Sequence, residues 1–156
     1  MNFLAILVAA LSTFALGAIW YNPKVFGTAW MQESGMTEEK AKKGNMAKIF
    51  GFAFLFAILL AFIMPTLVIH ETGVIQAAGG DRMDPHVLAF LKAHGGKFSS
   101  FKHGALHGAV LGVFFVLPVL GTNSLFEQRS WKYIFINAGY WTASLIIMGG
   151  ILSAWQ

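Results

Sequence analysis

Residues 49–69 read IFGFAFLFAILLAFIMPTLVI, an apolar run without one charged side chain, followed at once by His70 and Glu71. At about 1.5 Å of rise per residue, a helix of this length reaches ~30 Å, the thickness of the hydrocarbon core of a bilayer. Working outward, three more runs share its character. Residues 3–21 carry no charge and stop where Asn22 precedes Pro23, because a residue before proline is pushed out of the α region. Residues 101–120 form a third span, with Pro118 allowing a kink near its end. Residues 133–154 form the fourth, which opens behind Trp131 and closes at Trp155 as interfacial aromatic residues do. The fold expected is all-α, an integral-membrane bundle of four helices.

Composition supports the same reading. Of 156 residues, 56% are hydrophobic and 12% charged, where a soluble domain has roughly 25% charged. A soluble fold of this size could not hide so much apolar surface, and four spans leave room for a single transmembrane domain over residues 1–156. The net charge of +4 resides in loops between apolar runs, with no basic stripe interleaved with aromatics, so the expected partner is the lipid bilayer and not nucleic acid. Cysteine is absent, which excludes disulfides, thiolate metal sites and thiol redox chemistry. The apolar start lacks a basic leader and a small-residue cleavage site before Trp20, and is read as a retained first helix.

Two loops carry helical signals. Thr37 can cap a short helix whose Glu38 and Glu39 pair at i,i+4 with Lys42 and Lys43. Within loop 70–100, Asp84 and Pro85 suit the cap and first position of an amphipathic helix over residues 85–94, ended by Gly95. The first and third loops hold seven Lys and Arg (Lys24, Lys40, Lys42, Lys43, Lys48, Arg129, Lys132) against four on the other side (Arg82, Lys92, Lys97, Lys102). The positive-inside rule then puts both termini outside the cytoplasm, in a bacterial inner or plasma membrane. A repeat is also visible: Leu16, Gly17, Pro23, Gly27, Thr28 match Leu111, Gly112, Pro118, Gly121, Thr122, as two parallel two-helix halves would, although glycine and proline also recur by chance in apolar helices.

In lipid, helices associate by close backbone approach over small residues. Gly104, Gly108 and Gly112 recur at four-residue spacing, as do Ala5, Ala9, Thr13 and Gly17, and these series predict tight crossings within the bundle or between protomers. A homo-oligomer is expected, since four short spans enclose little interior. Tyr133, Asn137, Tyr140, Trp141 and Ser144 form one polar and aromatic stripe on the fourth span. It should face protein, where interhelical hydrogen bonding is the plainer reading and a substrate path the other. Trp141, near mid-membrane, needs a partner for its N–H, as Asn137 does for its amide.

All five histidines lie between the end of the second span and the first turns of the third, hence on one side of the membrane. His103 and His107 stand at i,i+4, the spacing by which two imidazoles grip one metal ion. His70 and Glu71 could complete a set of three nitrogens and one oxygen suited to zinc or another borderline divalent ion, with His86 and His94 as a lid. Ordinary interfacial packing and a pH sensor are the competing readings. No other cofactor is indicated. No Asp, Glu, Lys or Arg lies well inside a span, which argues against an ion-coupled antiporter but not a passive pore. No nucleophile triad, phosphate-binding loop or carboxylate pair points to an enzyme.

At Gly17–Pro23, GAIWYNP, then VFGTAW (Val25–Trp30), MTEEKAKKGNMAKIFGFAF (Met36–Phe54) and FEQRSWKYIFINAGYWTASLIIMGGILSAW (Phe126–Trp155), the chain resembles the small membrane proteins of domain-of-unknown-function family 1761. The resemblance covers the first two spans and the last well, and leaves Thr72–Lys97 without a counterpart. It implies a multi-span membrane protein of bacterial or fungal type, and no activity. The function expected is that of a structural or accessory bundle that oligomerises, with a small-solute or ion permease and a divalent-metal-binding protein as alternatives.

Overall fold

Most of the helices begin where a short polar side chain satisfies free N–H groups of the first turn; the two that start after Phe26 and Ile69 have no side-chain cap. The computed structural model describes residues 2–156. In it, Asn2, Thr37, Asn45, Asp84, Ser100 and Ser130 each accept a hydrogen bond from a backbone N–H two or three residues ahead. The elements are α1 (Phe3–Trp20), α2 (Gly27–Ser34), α3 (Glu38–Lys43), α4 (Met46–Val68), α5 (His70–Ala77), α6 (Pro85–His94), α7 (Phe101–Phe126) and α8 (Trp131–Ala154). No strand occurs among the described residues. Helices α1, α4, α7 and α8 are long and apolar enough to cross a bilayer, and the chain is a multi-pass membrane protein.

The spans depart most from the boundaries read in the sequence at α4 and α7, while α1 ends one residue earlier and α8 starts two residues earlier than expected. Helix α4 starts at Met46 because Asn45 caps it, which brings Lys48 into its first turn. Helix α7 does not stop near Leu120 but runs through Pro118 to Phe126. Proline has no N–H, and its ring collides with the carbonyl four residues earlier. The backbone widens into a π turn over Gly112–Val116, closed by the Leu117 N–H on the Gly112 carbonyl, and so carries the proline without breaking. Pro23, its counterpart in the suggested repeat, instead lies in the turn after α1, so the two prolines occupy unlike places. Of the two i,i+4 ion pairs expected on α3, Lys42 with Glu38 forms, at 3.8 Å.

Helix α8 is the most buried span and packs against α1, α4 and α7. The glycine series sets its closest crossing. A Cβ at Gly104 would strike the Gly149 carbonyl, one at Gly108 the Leu145 carbonyl, and one at Gly112 the Thr142 side chain. On the other side, Ala5, Ala9 and Ala10 of α1 meet Ala57, Ala61 and Met64 of α4 and Leu145 and Met148 of α8 in one buried cluster. Thr13 is buried with its hydroxyl donating to the Ala10 carbonyl, and Gly17 faces the Tyr140 ring. Side chains tie α1 to α8 as well: the Trp20 indole donates to the Ile136 carbonyl at 3.1 Å, and the Tyr140 hydroxyl to the Thr13 carbonyl at 3.1 Å.

Candidate metal centre

His70 owes its position to a break. Helix α4 ends at Val68, Ile69 is extended (φ −111°, ψ 112°), and α5 starts at once with His70. The Thr72 hydroxyl donates to the Ile69 carbonyl at 2.6 Å and fixes this elbow. His103 and His107 lie on successive turns of α7, beside the glycines that press that helix onto α8. The elbow thus faces the first turns of α7.

The three imidazoles converge through the same atom. Nε2 of His70 lies 2.9 Å from Nε2 of His103 and 3.2 Å from Nε2 of His107, and the last two are 3.0 Å apart. His70 is exposed and the other two are half-buried. A neutral Nε2 is either donor or acceptor, and a protonated one only donor. Three mutually facing nitrogens therefore cannot make three hydrogen bonds, and at least one edge sets like against like. A cation accepting three lone pairs removes that conflict. Ions held by imidazole at about 2.0–2.1 Å separate neighbouring nitrogens by ~2.9 Å on an octahedral face and ~3.4 Å on a tetrahedral one. The observed edges fall in this range.

Phe98 holds two of the rings. It stacks on His103 at 4.8 Å between centroids, with 29° between planes, and lies 5.1 Å from His70. No sequence pattern points to this contact, since no spacing rule links a loop residue to a helix face.

Glu71, expected in the set, is not brought into it. Its carboxylate accepts the Gly96 N–H at 2.7 Å, an interaction that ties α5 to a loop residue with φ +72°. His94 packs against Phe90 at 5.1 Å and joins His70, Glu71 and Lys97 in lining a shallow cleft of about 220 Å³. His86 stands apart from these donors, at the start of α6. The three nitrogens could hold one ion between them, and a set of three would leave its remaining coordination positions to solvent or another ligand.

The polar stripe of α8 divides. Tyr133 packs under the Arg129 guanidinium at 5.4 Å, and Ser144 is fully buried with no partner for its hydroxyl among the described residues. Asn137, Tyr140 and Trp141 line a cavity of about 770 Å³ between α1, α4 and α8, far along the chain from the histidines. Asn137 finds the partners it needs: its amide nitrogen donates to the Tyr133 carbonyl at 2.8 Å, and its oxygen accepts from the Tyr21 hydroxyl at 3.1 Å.

Residues 4–153 match the family model described as "Protein of unknown function (DUF1761)", and the match includes the loop Thr72–Lys97 that the resemblance had left without a counterpart. No curated protein and no solved structure matches the chain.

Proposed function

The chain belongs to the DUF1761 family, whose description assigns no activity, and we propose that it binds a divalent transition-metal ion through Nε2 of His70, His103 and His107. The observation that carries this reading is the approach of three imidazole nitrogens to within 3.2 Å of one another. Zinc and its borderline neighbours suit an all-imidazole set, and hard cations such as magnesium or calcium do not. With two ligands on α7 and one at the elbow after α4, a bound ion fastens two spans together at one edge of the bundle. The role is binding, in the manner of an accessory protein, and not catalysis. The excess of Lys and Arg in the loops at the opposite edge supports an orientation with the centre and both termini on the extracytoplasmic side of the plasma membrane.

The glycine series is consumed by the α7–α8 crossing inside one chain. Self-association, which four short spans still favour, therefore rests on lipid-facing surfaces, and light scattering of the solubilised protein reads it.

The test is calorimetric titration of tag-free protein in detergent with zinc, repeated with cobalt, whose visible spectrum reports coordination. Wild type takes up one ion per chain. His70→Ala and the His103→Ala/His107→Ala double variant lose at least about 100-fold in affinity, with helical circular dichroism unchanged, while Glu71→Gln stays within about threefold of wild type. Equal, weak binding by wild type and the double variant removes the metal reading and leaves the histidines as packing.

A further inference from the structure

Helices α1 and α4 touch over alanines at one end and diverge toward the other, where the Phe14 ring meets Phe50 at 6.1 Å and Phe54 at 5.9 Å. The space so opened, floored by α8, is the cavity of about 770 Å³. It lies within the 300–1,000 Å³ usual for small-molecule sites. On α1 it extends from Thr13 to Tyr21, a rise of about 12 Å, or from mid-helix to the helix end. Phe50, Ala53 and Phe56 of its lining are themselves exposed on the lipid side, so a molecule dissolved in the bilayer can enter without crossing water.

The lining selects a chemistry. It contains no Asp, Glu, Lys, Arg or His. At this depth a charged ligand would lose its hydration without compensation. The walls are aromatic: Tyr21 lies edge-on to Trp30 at 5.5 Å, Tyr140 lies 5.1 Å from Tyr21, and Trp141 lies edge-on to Tyr140 at 5.2 Å. Such walls accept a flat ring by edge-to-face contact.

The polar atoms are more selective still. The Tyr21 hydroxyl is spent on Asn137, the Tyr140 hydroxyl on the Thr13 carbonyl, and one amide hydrogen of Asn137 on the Tyr133 carbonyl. Three donors of the lining stay unspent: the Trp30 and Trp141 indole N–H groups, for which the described residues show no partner, and the second amide hydrogen of Asn137. The hydroxyl and amide oxygens keep lone pairs as well, but every unspent proton of the lining sits on nitrogen, and only an acceptor on the ligand engages those protons.

We infer that this cavity binds a neutral, lipid-soluble molecule bearing a planar ring with a carbonyl oxygen, taken up laterally from the bilayer. The site is separate from the histidine centre and does not depend on metal.

The probe is a short-tailed 1,4-naphthoquinone titrated into detergent-solubilised protein, read by quenching of tryptophan fluorescence. Wild type quenches saturably. Ala53→Phe, which fills the cavity from a lipid-facing position, abolishes the saturable phase. Trp141→Phe keeps the ring but loses the donor, and weakens binding about fivefold while Trp30 still reports it. The His103→Ala/His107→Ala variant behaves as wild type. Three outcomes overturn the inference: linear quenching no stronger than that of a free tryptophan analogue in the same micelles; equal displacement of the probe by a simple alkane, which makes the cavity an acyl-chain slot; or an Ala53→Phe variant that alters oligomeric state with quenching unchanged, which makes it a surface between copies.

Discussion

At the scale of single residues, two glycines of similar appearance in the sequence are predicted to behave oppositely. A methyl group at Gly108 would meet the Leu145 backbone carbonyl, which cannot yield as a side chain can, whereas at Gly51 it meets nothing within 4 Å. Gly108→Ala should cost about 1–3 kcal/mol as an overpacking change. Gly51→Ala should leave stability unchanged or raise it by up to about 1 kcal/mol, because glycine is a poor helix former. Unfolding in mixed micelles followed by circular dichroism measures both, and equal effects would refute the assignment of the crossing. Much of this was legible beforehand: three glycines at four-residue spacing announce a close crossing, and two histidines at i,i+4 announce a shared face. The partner helix was not, because spacing within a helix carries no information about what lies opposite. Glu71 was misassigned for a related reason. Its neighbour His70 does reach the other imidazoles, but its own carboxylate meets a loop N–H that no pattern in the sequence reveals.

At the scale of elements, α2 is held to the α7–α8 loop by a cluster of polar groups. Glu33 accepts a hydrogen bond from the Ser130 hydroxyl and lies 3.5 Å from the Lys132 ammonium, while Arg129 donates to the Ser34 carbonyl at 3.1 Å. The Ser130 hydrogen bond, aided by Lys132, holds the Glu33 carboxyl below its ordinary value of 4.5. A carboxyl with a depressed pKa stabilises the fold in full above its unfolded value, and that contribution disappears as pH falls through the lowered one. Amide hydrogen exchange in α2 should thus be slow and flat with pH above about 5, once corrected for intrinsic rates, and accelerate on acidification below 4.5. In Glu33→Gln the protection should be weaker at neutral pH and insensitive to acid. A variant indistinguishable from wild type across that range would show that the cluster does not hold α2. The length of α7 belongs to this scale too. Pro118 reads as a helix end in a linear sequence, but the backbone widens into a π turn over Gly112–Val116 and the helix runs on through it to Phe126.

At the scale of the whole molecule, loop charge predicts an orientation, and the chain's lack of cysteine makes it easy to measure. Single cysteines at Glu39, Met83 and Gln128, all exposed, sample both edges of the bundle. An impermeant maleimide on intact cells should label Met83→Cys alone. Labelling of the other two, with Met83→Cys silent, would reverse the orientation and put the histidine centre in the cytoplasm. The number of spans could be read from hydropathy because each run is long and nearly free of charge. The order of packing could not, since the small-residue series and the polar stripe tell which faces meet protein but not which span lies in the middle. That position belongs to α8, the most buried of the four, which packs against each of the others. It is also the last of these four spans to leave the ribosome. Helices α1 and α4 meet over their own alanines, but the glycine face of α7 must wait in the membrane unmatched, and the bundle closes only when α8 inserts. For that interval the nascent chain depends on lipid, or on the insertion machinery, to cover that face.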